Sequence, residues 1–470
     1  MRKIIGRQKE ISELQRCYNS KRAEFVVVSG RRRIGKTYLV NTLYEGQFAF
    51  SYVGGHNLSQ KLQLRKFSKA LSEYSRSMAQ IEFKDWFDAF DALQDYLKSI
   101  PATEGKRRLI FIDEMPWIDN KKSDFVSALE YFWNSWGAMQ DDIMFIASGS
   151  ATSWLNDKLT ENQGGLHARI TKQIVLQPFS LKETEEYLEY LGASWDRYQI
   201  VQTYMALGGV PFYLSLINPD ISFAQNIDAL FFERNATLRL EFDELYYALF
   251  SSADRYVEVV KALAEKRKGL TRSELMKATG MQGSTLTRIL SNLEKSDFIV
   301  CYQQYGHSLR DSIYRLTDLY TLFYFKFVEN NNSKDVAWWQ NNLQSSAIKT
   351  WQGFSFELVC LLHLDQIKKA LGISGISTSA SGWRSDNAQI DLVIERADRI
   401  VNLCEMKFSV EQFEITKDYA DRLRDRMSIF REHTKCKLTL SNTFITTYGV
   451  RMGKNSAVVN AQVTMEELFG

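Results

Sequence analysis

Proline is scarce in this chain, with five in 470 residues and none after Pro219. The joints of its second half must therefore be sought in polar stretches rather than in proline-marked turns. Cysteine is equally sparse. Cys17, Cys301, Cys360, Cys404 and Cys436 are scattered and form no C-x-x-C pair, which excludes a zinc knuckle of that type and argues against a disulfide framework. A reducing compartment, the cytoplasm, is the simpler expectation. No apolar run approaches the ~18 residues that span a bilayer. Met1 to Gln8 has no signal core either, so no membrane partner is expected. Charge of one sign is missing as well: 59 basic against 56 acidic residues leave +3, and no global field marks a nucleic-acid partner. What remains is a globular composition, 45% hydrophobic and 24% charged. At about 150 residues per domain, the length suggests three domains.

The richest stretch is Gly30-Arg31-Arg32-Arg33-Ile34-Gly35-Lys36-Thr37, a complete G-x-x-x-x-G-K-[ST] phosphate loop. It follows the strand-like Phe25-Val26-Val27-Val28-Ser29 and opens a helical segment. The glycines let the backbone curl so that successive N–H groups face a phosphate at the positive end of the helix. Lys36 then reaches the β- and γ-phosphates of ATP, and the Thr37 hydroxyl binds Mg²⁺. Downstream, Arg108-Leu109-Ile110-Phe111-Ile112 reads as a buried parallel strand that delivers Asp113 and Glu114 at its carboxyl end, where ligands of open α/β sheets bind. Asp113 is placed for the Mg²⁺ shell and Glu114 to align or deprotonate the attacking water.

A third apolar strand, Ile143 to Ala147, ends in Ser148-Gly149-Ser150. There Ser150 either senses the γ-phosphate or merely leaves the strand. The segment Gly6-Arg7-Gln8-Lys9-Glu10, leading into Leu14, resembles the G-R-x-x-E-x-x-x-L element of AAA+-like ATPases, which implies that Gly6 and Arg7 pack beside adenine. Arg169, at the end of Gly164-Gly165-Leu166-His167-Ala168-Arg169, resembles by position the arginine that AAA+-like proteins lend to a neighbouring subunit. An ordinary surface arginine is the competing reading. That resemblance implies a homo-oligomer when ATP is bound. Further on, Leu207-Gly208-Gly209-Val210-Pro211 makes a rigid elbow, proline being suited to a helix start and glycine to the turn before it. Together these elements resemble the archaeal-type ATPase family of prokaryotes, related to signalling and origin-recognition ATPases. The family implies that the elbow, Gly209 and Pro211, links nucleotide state to a helical subdomain.

After a helix around Tyr256 to Lys266, Thr271-Arg272-Ser273-Glu274 is a capping box that starts a second helix. A third helix, about Ser284 to Lys295, carries Leu286, Ile289, Leu290 and Leu293 on one face and Thr285, Thr287, Arg288 and Asn292 largely on the other. Two strands, Phe298 to Tyr302 and Ser312 to Leu316, follow as a hairpin. This is winged helix-turn-helix order. The polar face could read DNA, supported by Lys266, Arg267, Lys268 and Arg272, or the module could serve as a protein-docking spacer.

Glu329-Asn330-Asn331-Asn332-Ser333-Lys334-Asp335 is the best linker candidate. Beyond it, Gly353 to Leu362 reads as a buried helix with Glu357 turned into its apolar stripe. Gln389-Ile390-Asp391-Leu392-Val393 and Val401-Asn402-Leu403-Cys404-Glu405-Met406-Lys407 alternate as strands. Carboxylates on apolar elements need compensation. Either Asp391 and Glu405 hold Mg²⁺, with Lys407 and Glu357 serving the water or metal shell, or Lys407 neutralises a structural cluster. With Gly382-Trp383, these residues resemble the PD-(D/E)XK nuclease superfamily, specifically the restriction-endonuclease-like domain that follows the ATPase and winged helix in the same family. Ile390 stands where the superfamily carries proline, and Gln389 where relatives often carry glutamate.

The fold expected is a multidomain α/β chain with four parts. These are a parallel-sheet ATPase over 1–180, a helical subdomain over 181–244, a winged helix over 245–334 and a restriction-endonuclease-like domain over 335–470. The function expected is ATP binding and hydrolysis whose nucleotide state controls a Mg²⁺-dependent nuclease-like domain that acts on or binds DNA. The alternative is a regulatory ATPase switch that binds DNA or protein without cutting.

Overall fold

The computed structural model describes residues 3–77, 80–101, 106–120, 123–150, 152–155, 169–250, 252–266, 268–307 and 312–470. The chain divides into two compact units, Met1–Gln177 and Pro178–Gly470.

The first unit is built on five parallel strands: β1 (Glu24–Ser29), β2 (Phe48–Val53), β3 (Arg108–Asp113), β4 (Ile143–Gly149) and β5 (Lys172–Val175), in the order β2-β3-β4-β1-β5. The near-continuous apolar runs of β1, β3 and β4 suit a sheet covered on both faces. Their period of two sorts them into separate cores. Phe25, Val27, Ile110, Ile112, Phe145 and Ala147 share one core. Val26, Val28, Leu109, Phe111, Met144 and Ile146 share another with Leu14, Leu39 and Val40, which come from helices α1 (Gln8–Tyr18) and α2 (Lys36–Leu43). Helices α3 (Gln60–Ser75), α4 (Trp86–Ser99) and α5 (Phe125–Ser135) line the first core with Phe67, Trp86, Phe90 and Phe132. Because β4 lies between β1 and β3, the end of β4 falls between the phosphate loop and the paired acids.

The second unit begins with α6 (Leu181–Leu191), started by a Ser180/Glu183 capping box, then α7 (Arg197–Leu207) and α8 (Thr237–Leu249). Next come α9 (Ala253–Glu265), β6 (Leu270–Thr271), α10 (Arg272–Thr279), α11 (Gly283–Lys295), β7 (Ile299–Tyr302) and β8 (Ile313–Leu316), with the three strands ordered β6-β8-β7. The capping box of Thr271 and Glu274 forms as its residues predict. The polar stretch before Asp335 does not open into a free tether. It leads to Trp338–Asn342, where Trp339 is fully buried and its backbone N–H donates to Asp228 Oδ1 at 2.7 Å. Two tryptophans outweigh the polar residues before them because burying an indole is worth several times any local turn preference.

Helix α12 (Ser346–Leu362) precedes a second five-stranded sheet: β9 (Thr378–Arg384), β10 (Gln389–Arg396), β11 (Ile400–Lys407), β12 (Thr439–Thr446) and β13 (Ala461–Thr464). Its order is β13-β12-β11-β10-β9; β9, β10 and β11 are antiparallel, while β11, β12 and β13 are parallel. Helix α13 (Lys417–Thr434) supplies the crossover between the parallel strands β11 and β12, as a parallel pair requires. One apolar core runs from Phe179 to Phe469 through all three parts of this unit.

Candidate functional site

The phosphate loop owes its curl to two left-handed glycines. Gly30 has φ +140°, and a Cβ there would stand 2.5 Å from the Leu176 carbonyl oxygen; Gly35 has φ +91°. Arg33, between them, also adopts φ +70°. Arg31 and Ile34 are buried, and Arg32 and Arg33 half-buried. Lys36 is buried, and its ammonium donates to the Gly30 carbonyl at 2.9 Å and the Arg31 carbonyl at 3.0 Å. Burial pulls its pKa below the ordinary lysine value, against the opposing pull of Glu114 and Asp113.

The two acids at the end of β3 are held by different serines. Asp113 accepts from the Thr37 hydroxyl at 2.5 Å, from the Ser148 hydroxyl, and from the Glu114 N–H at 3.0 Å. Glu114, turned by φ +48°, accepts from the Ser150 N–H at 3.1 Å and the Ser150 hydroxyl at 2.6 and 2.7 Å. Gly149 between them permits the approach, since a Cβ would lie 2.5 Å from Pro116 Cδ. On the other side of the loop, Arg7 is buried and donates to the Gln177 carbonyl at 2.6 Å and the Ile34 carbonyl at 3.3 Å, with Gly6 beside it at φ +63°. A hydroxyl and a carboxylate already in contact, Thr37 and Asp113, are the hard oxygen donors that Mg²⁺ prefers. These residues fit the ion.

Arg169 is exposed, and residues 164–168 before it lie outside the described residues. Pro211 belongs to the second unit and opens the short helix Pro211–Leu214. Gly209 has φ +65°; a Cβ there would stand 2.3 Å from the Phe179 carbonyl oxygen, and its own carbonyl accepts the Phe179 N–H at 2.8 Å.

In the second unit, β10 and β11 pair Leu392 with Cys404, so Asp391 and Glu405 stand opposite one step further along. Glu405 is fully engaged. Lys407 lies 2.8 Å from Oε1, where the Tyr419 hydroxyl also donates, and the Arg426 guanidinium pairs with Oε2. Burial raises its pKa, but Arg426, Lys407 and Tyr419 more than offset this and bring it down to about 2. Asp391 accepts from the Gln389 amide at 2.5 Å. Glu357, on α12, has its pKa pushed up to about 7 by burial and by Asp391. Arg315, on β8, comes within 3.6 Å of its Oε2. Among the described residues no three His, Cys, Asp or Glu side chains group as a metal cage. With both Glu405 oxygens taken by cations, the Asp391–Glu405 pair as arranged does not fit a metal ion.

Residues 4–217 match the family model described as an ATPase domain predominantly from Archaea, and residues 252–300 the model of the IclR helix-turn-helix domain. The first segment carries an archaeal-type ATPase domain. An uncharacterized protein of Methanocaldococcus jannaschii is 24% identical over 431 residues, covering 90% of this chain and 91% of that one. Among solved structures, a Walker-type ATPase of Pyrococcus abyssi is 18% identical, with a TM-score of 0.49, 69% of this chain covered and 96% of the other. The ORC2 protein of Aeropyrum pernix is 14% identical, with a TM-score of 0.42, 73% and 96% covered. No helix among the described residues is long and apolar enough to cross a membrane.

Several partners escape a reading of the sequence. Ser148 was legible in principle, since it shares a pleat face with Ser150 at the end of β4. Arg315 also left a sign, a cation inside the apolar strand Ile313-Tyr314-Arg315-Leu316. Tyr419 and Arg426 are seven apart on α13 and so share a helix face, but nothing local says which strand that face covers.

Proposed function

We propose that this protein binds and hydrolyses ATP and that its nucleotide state controls a C-terminal half that binds DNA. The observation that carries the reading is the convergence of Lys36, Thr37, Asp113 and Glu114, with each acid held by its own serine. The N–H groups of Gly30 to Thr37 take the phosphates at the positive end of α2. Lys36 exchanges the Gly30 and Arg31 carbonyls for phosphate oxygens. Thr37 and Asp113 would hold Mg²⁺, which would neutralise charge developing on the phosphates. Glu114 leaves Ser150 to orient the attacking water, and Ser150 becomes free to meet the γ-phosphate. Gly6 and Arg7 border the adenine, Pro211 relays nucleotide state to the helical subdomain, and the exposed Arg169 serves a second copy of the chain as an arginine finger.

We read the C-terminal sheet as restriction-endonuclease-like, with domains at 1–180, 181–244, 245–334 and 335–470. Its support is the order helix, three strands, helix, strand, with Glu357, Asp391, Glu405 and Lys407 on α12, β10 and β11. The ion pairing of Glu405 favours DNA binding over cutting. A Mg²⁺-dependent nuclease is the second reading. It draws on one observation, the mutual repulsion of Glu357 and Asp391, which a cation would relieve, and it would require Glu405 to part from Arg426.

The test follows ATP turnover and plasmid integrity in wild type, Lys36→Ala and Asp391→Ala/Glu405→Ala, with Mg²⁺ or Mn²⁺. Turnover lost only in Lys36→Ala, with DNA bound but intact throughout, supports the first reading. Cutting that disappears in the carboxylate variant establishes the second, and absence of turnover in wild type overturns the ATPase assignment.

A further inference from the structure

Part of the outward face of α11, where a helix-turn-helix would meet DNA, is taken up by contacts within the protein. The Thr287 hydroxyl accepts from Arg272 at 2.9 Å and donates to the Gly283 carbonyl at 2.8 Å, and the same guanidinium reaches the Gly283 carbonyl at 2.9 Å. The Asn292 amide donates to the Tyr256 hydroxyl at 2.7 Å. Arg288 and Glu294 of this helix stay exposed, an opposite-sign pair that leaves no net positive charge.

The wing is docked too, against the edge strand of the C-terminal sheet. Gln304 bridges Gly382 in parallel, and the Tyr305 N–H donates to the Gly382 carbonyl at 2.8 Å. The Tyr305 ring packs 5.0 Å from Phe430. Gly382 suits this joint, because a Cβ there would stand 3.0 Å from the Tyr302 ring, which would have to give way by a few tenths of an ångström.

Docking leaves a shallow open cleft where the winged helix meets β9 and β10, lined by Lys268, Tyr302, Gln304, Trp383, Arg384 and Asp391. The Tyr302 phenol, held above its ordinary pKa mainly by burial, lies in the electrostatic reach of Arg315, Asp391 and Arg384 together. Arg315 is 3% exposed. Its pairing with Glu357 is 3.6 Å long, and its Nε has no hydrogen-bond partner among the described residues. Its guanidinium lies over the Phe354 ring at 5.1 Å, so its charge stands close to Tyr302 without itself lining the cleft.

We propose that this cleft is a phosphodiester-binding site. Lys268 and Arg384 hold the backbone of a DNA strand at its rim, Tyr302 and Trp383 flank it, and Arg315 supplies positive charge beneath, so the strand passes beside Asp391. The winged helix thus engages DNA through the root of its wing, together with the C-terminal sheet, and not through the outward face of α11. The assignment rests on the reading of the C-terminal half as DNA-binding.

The test is fluorescence anisotropy of labelled single-stranded and duplex oligonucleotides on the full chain across a salt titration. Lys268→Ala/Arg384→Ala should bind about tenfold more weakly, and the slope of log K against log salt should fall in magnitude by about 1.4 to 1.8, the value of two phosphate contacts. Arg384→Lys should recover part of the affinity, Arg288→Ala should change neither quantity, and basal ATP turnover should be the same in all. If wild type binds and the double variant matches it, or if Arg288→Ala carries the loss instead, the inference fails while the DNA-binding reading stands. If wild type binds neither oligonucleotide, both fail. An acidic peptide that competes as well as DNA would overturn the phosphodiester assignment.

Discussion

The Thr37 hydroxyl donates to Asp113 Oδ2 at 2.5 Å, joining the end of the phosphate loop to the end of a strand 76 residues further along the chain. The neighbouring Glu114 has no such tie to the loop; its carboxylate rests on Ser150. The two adjacent acids therefore differ in setting, one tied to the phosphate loop and the other resting on a serine at the end of β4.

That separation predicts two distinguishable variants. Glu114→Gln should keep nucleotide binding and lose about 10²- to 10⁴-fold in turnover, the usual contribution of a positioned base. Asp113→Ala should lose turnover and also weaken Mg²⁺-dependent nucleotide affinity. Calorimetric binding of a non-hydrolysable ATP analogue beside a phosphate-release assay separates the two; equal binding defects would contradict the split.

Glu357 carries a pH signature of its own. Its folded pKa, raised to about 7 by burial and Asp391, lies above the unfolded value. The protonated acid therefore suits the fold, and stability is lost as pH rises from the ordinary carboxylate range through about 7. Glu357→Gln should match wild type at pH 5 and exceed it by on the order of 2 kcal/mol at pH 8. Urea titrations at the two pH values check this.

Glu405 works in the opposite direction. With its pKa brought down to about 2, it contributes stability that is complete above the unfolded carboxylate range and lost as pH falls toward about 2. Arg426→Ala leaves this half-buried carboxylate with Lys407 and Tyr419 alone and should cost about 3 kcal/mol at neutral pH. The penalty should shrink on acidification; a cost independent of pH would mean that Arg426 acts through packing only.

A buried histidine ties the last turn of α12 to the start of α6. His363 Nε2 accepts the Leu181 N–H at 2.9 Å, and Nδ1 lies 2.8 Å from the Val359 carbonyl. Burial lowers its pKa to about 4. Since the folded state prefers the neutral ring, this contribution is complete above the unfolded histidine pKa, near ~6.5, and is lost as pH falls toward about 4. Against wild type, His363→Ala should destabilise the second unit by about 1 to 3 kcal/mol at pH 7, leaving a buried N–H unpaired. The difference should narrow at pH 5, as followed by denaturant midpoints.

Local chemistry determined much of this protein from the sequence alone. A strand of four apolar residues before G-x-x-x-x-G-K-T, a second apolar strand ending in Asp113-Glu114, the Thr271–Glu274 capping box and the leucine-bearing face of α11 are all patterns of adjacent residues, and each forms the element it predicts. Strand order and cross-chain partnership were beyond such patterns. Nothing near Ser148 says that β4 lies between β1 and β3, and nothing near Arg426 says that α13 covers Glu405. Nor does anything near Gly382 say that a wing docks there. These pairings depend on which apolar faces bury one another across tens to hundreds of residues, and only the packed structure decides that. The carboxylate at 405 was legible as an acid on a strand, but its engagement by two cations was not. Its ionisation is therefore a property of the fold and not of the motif.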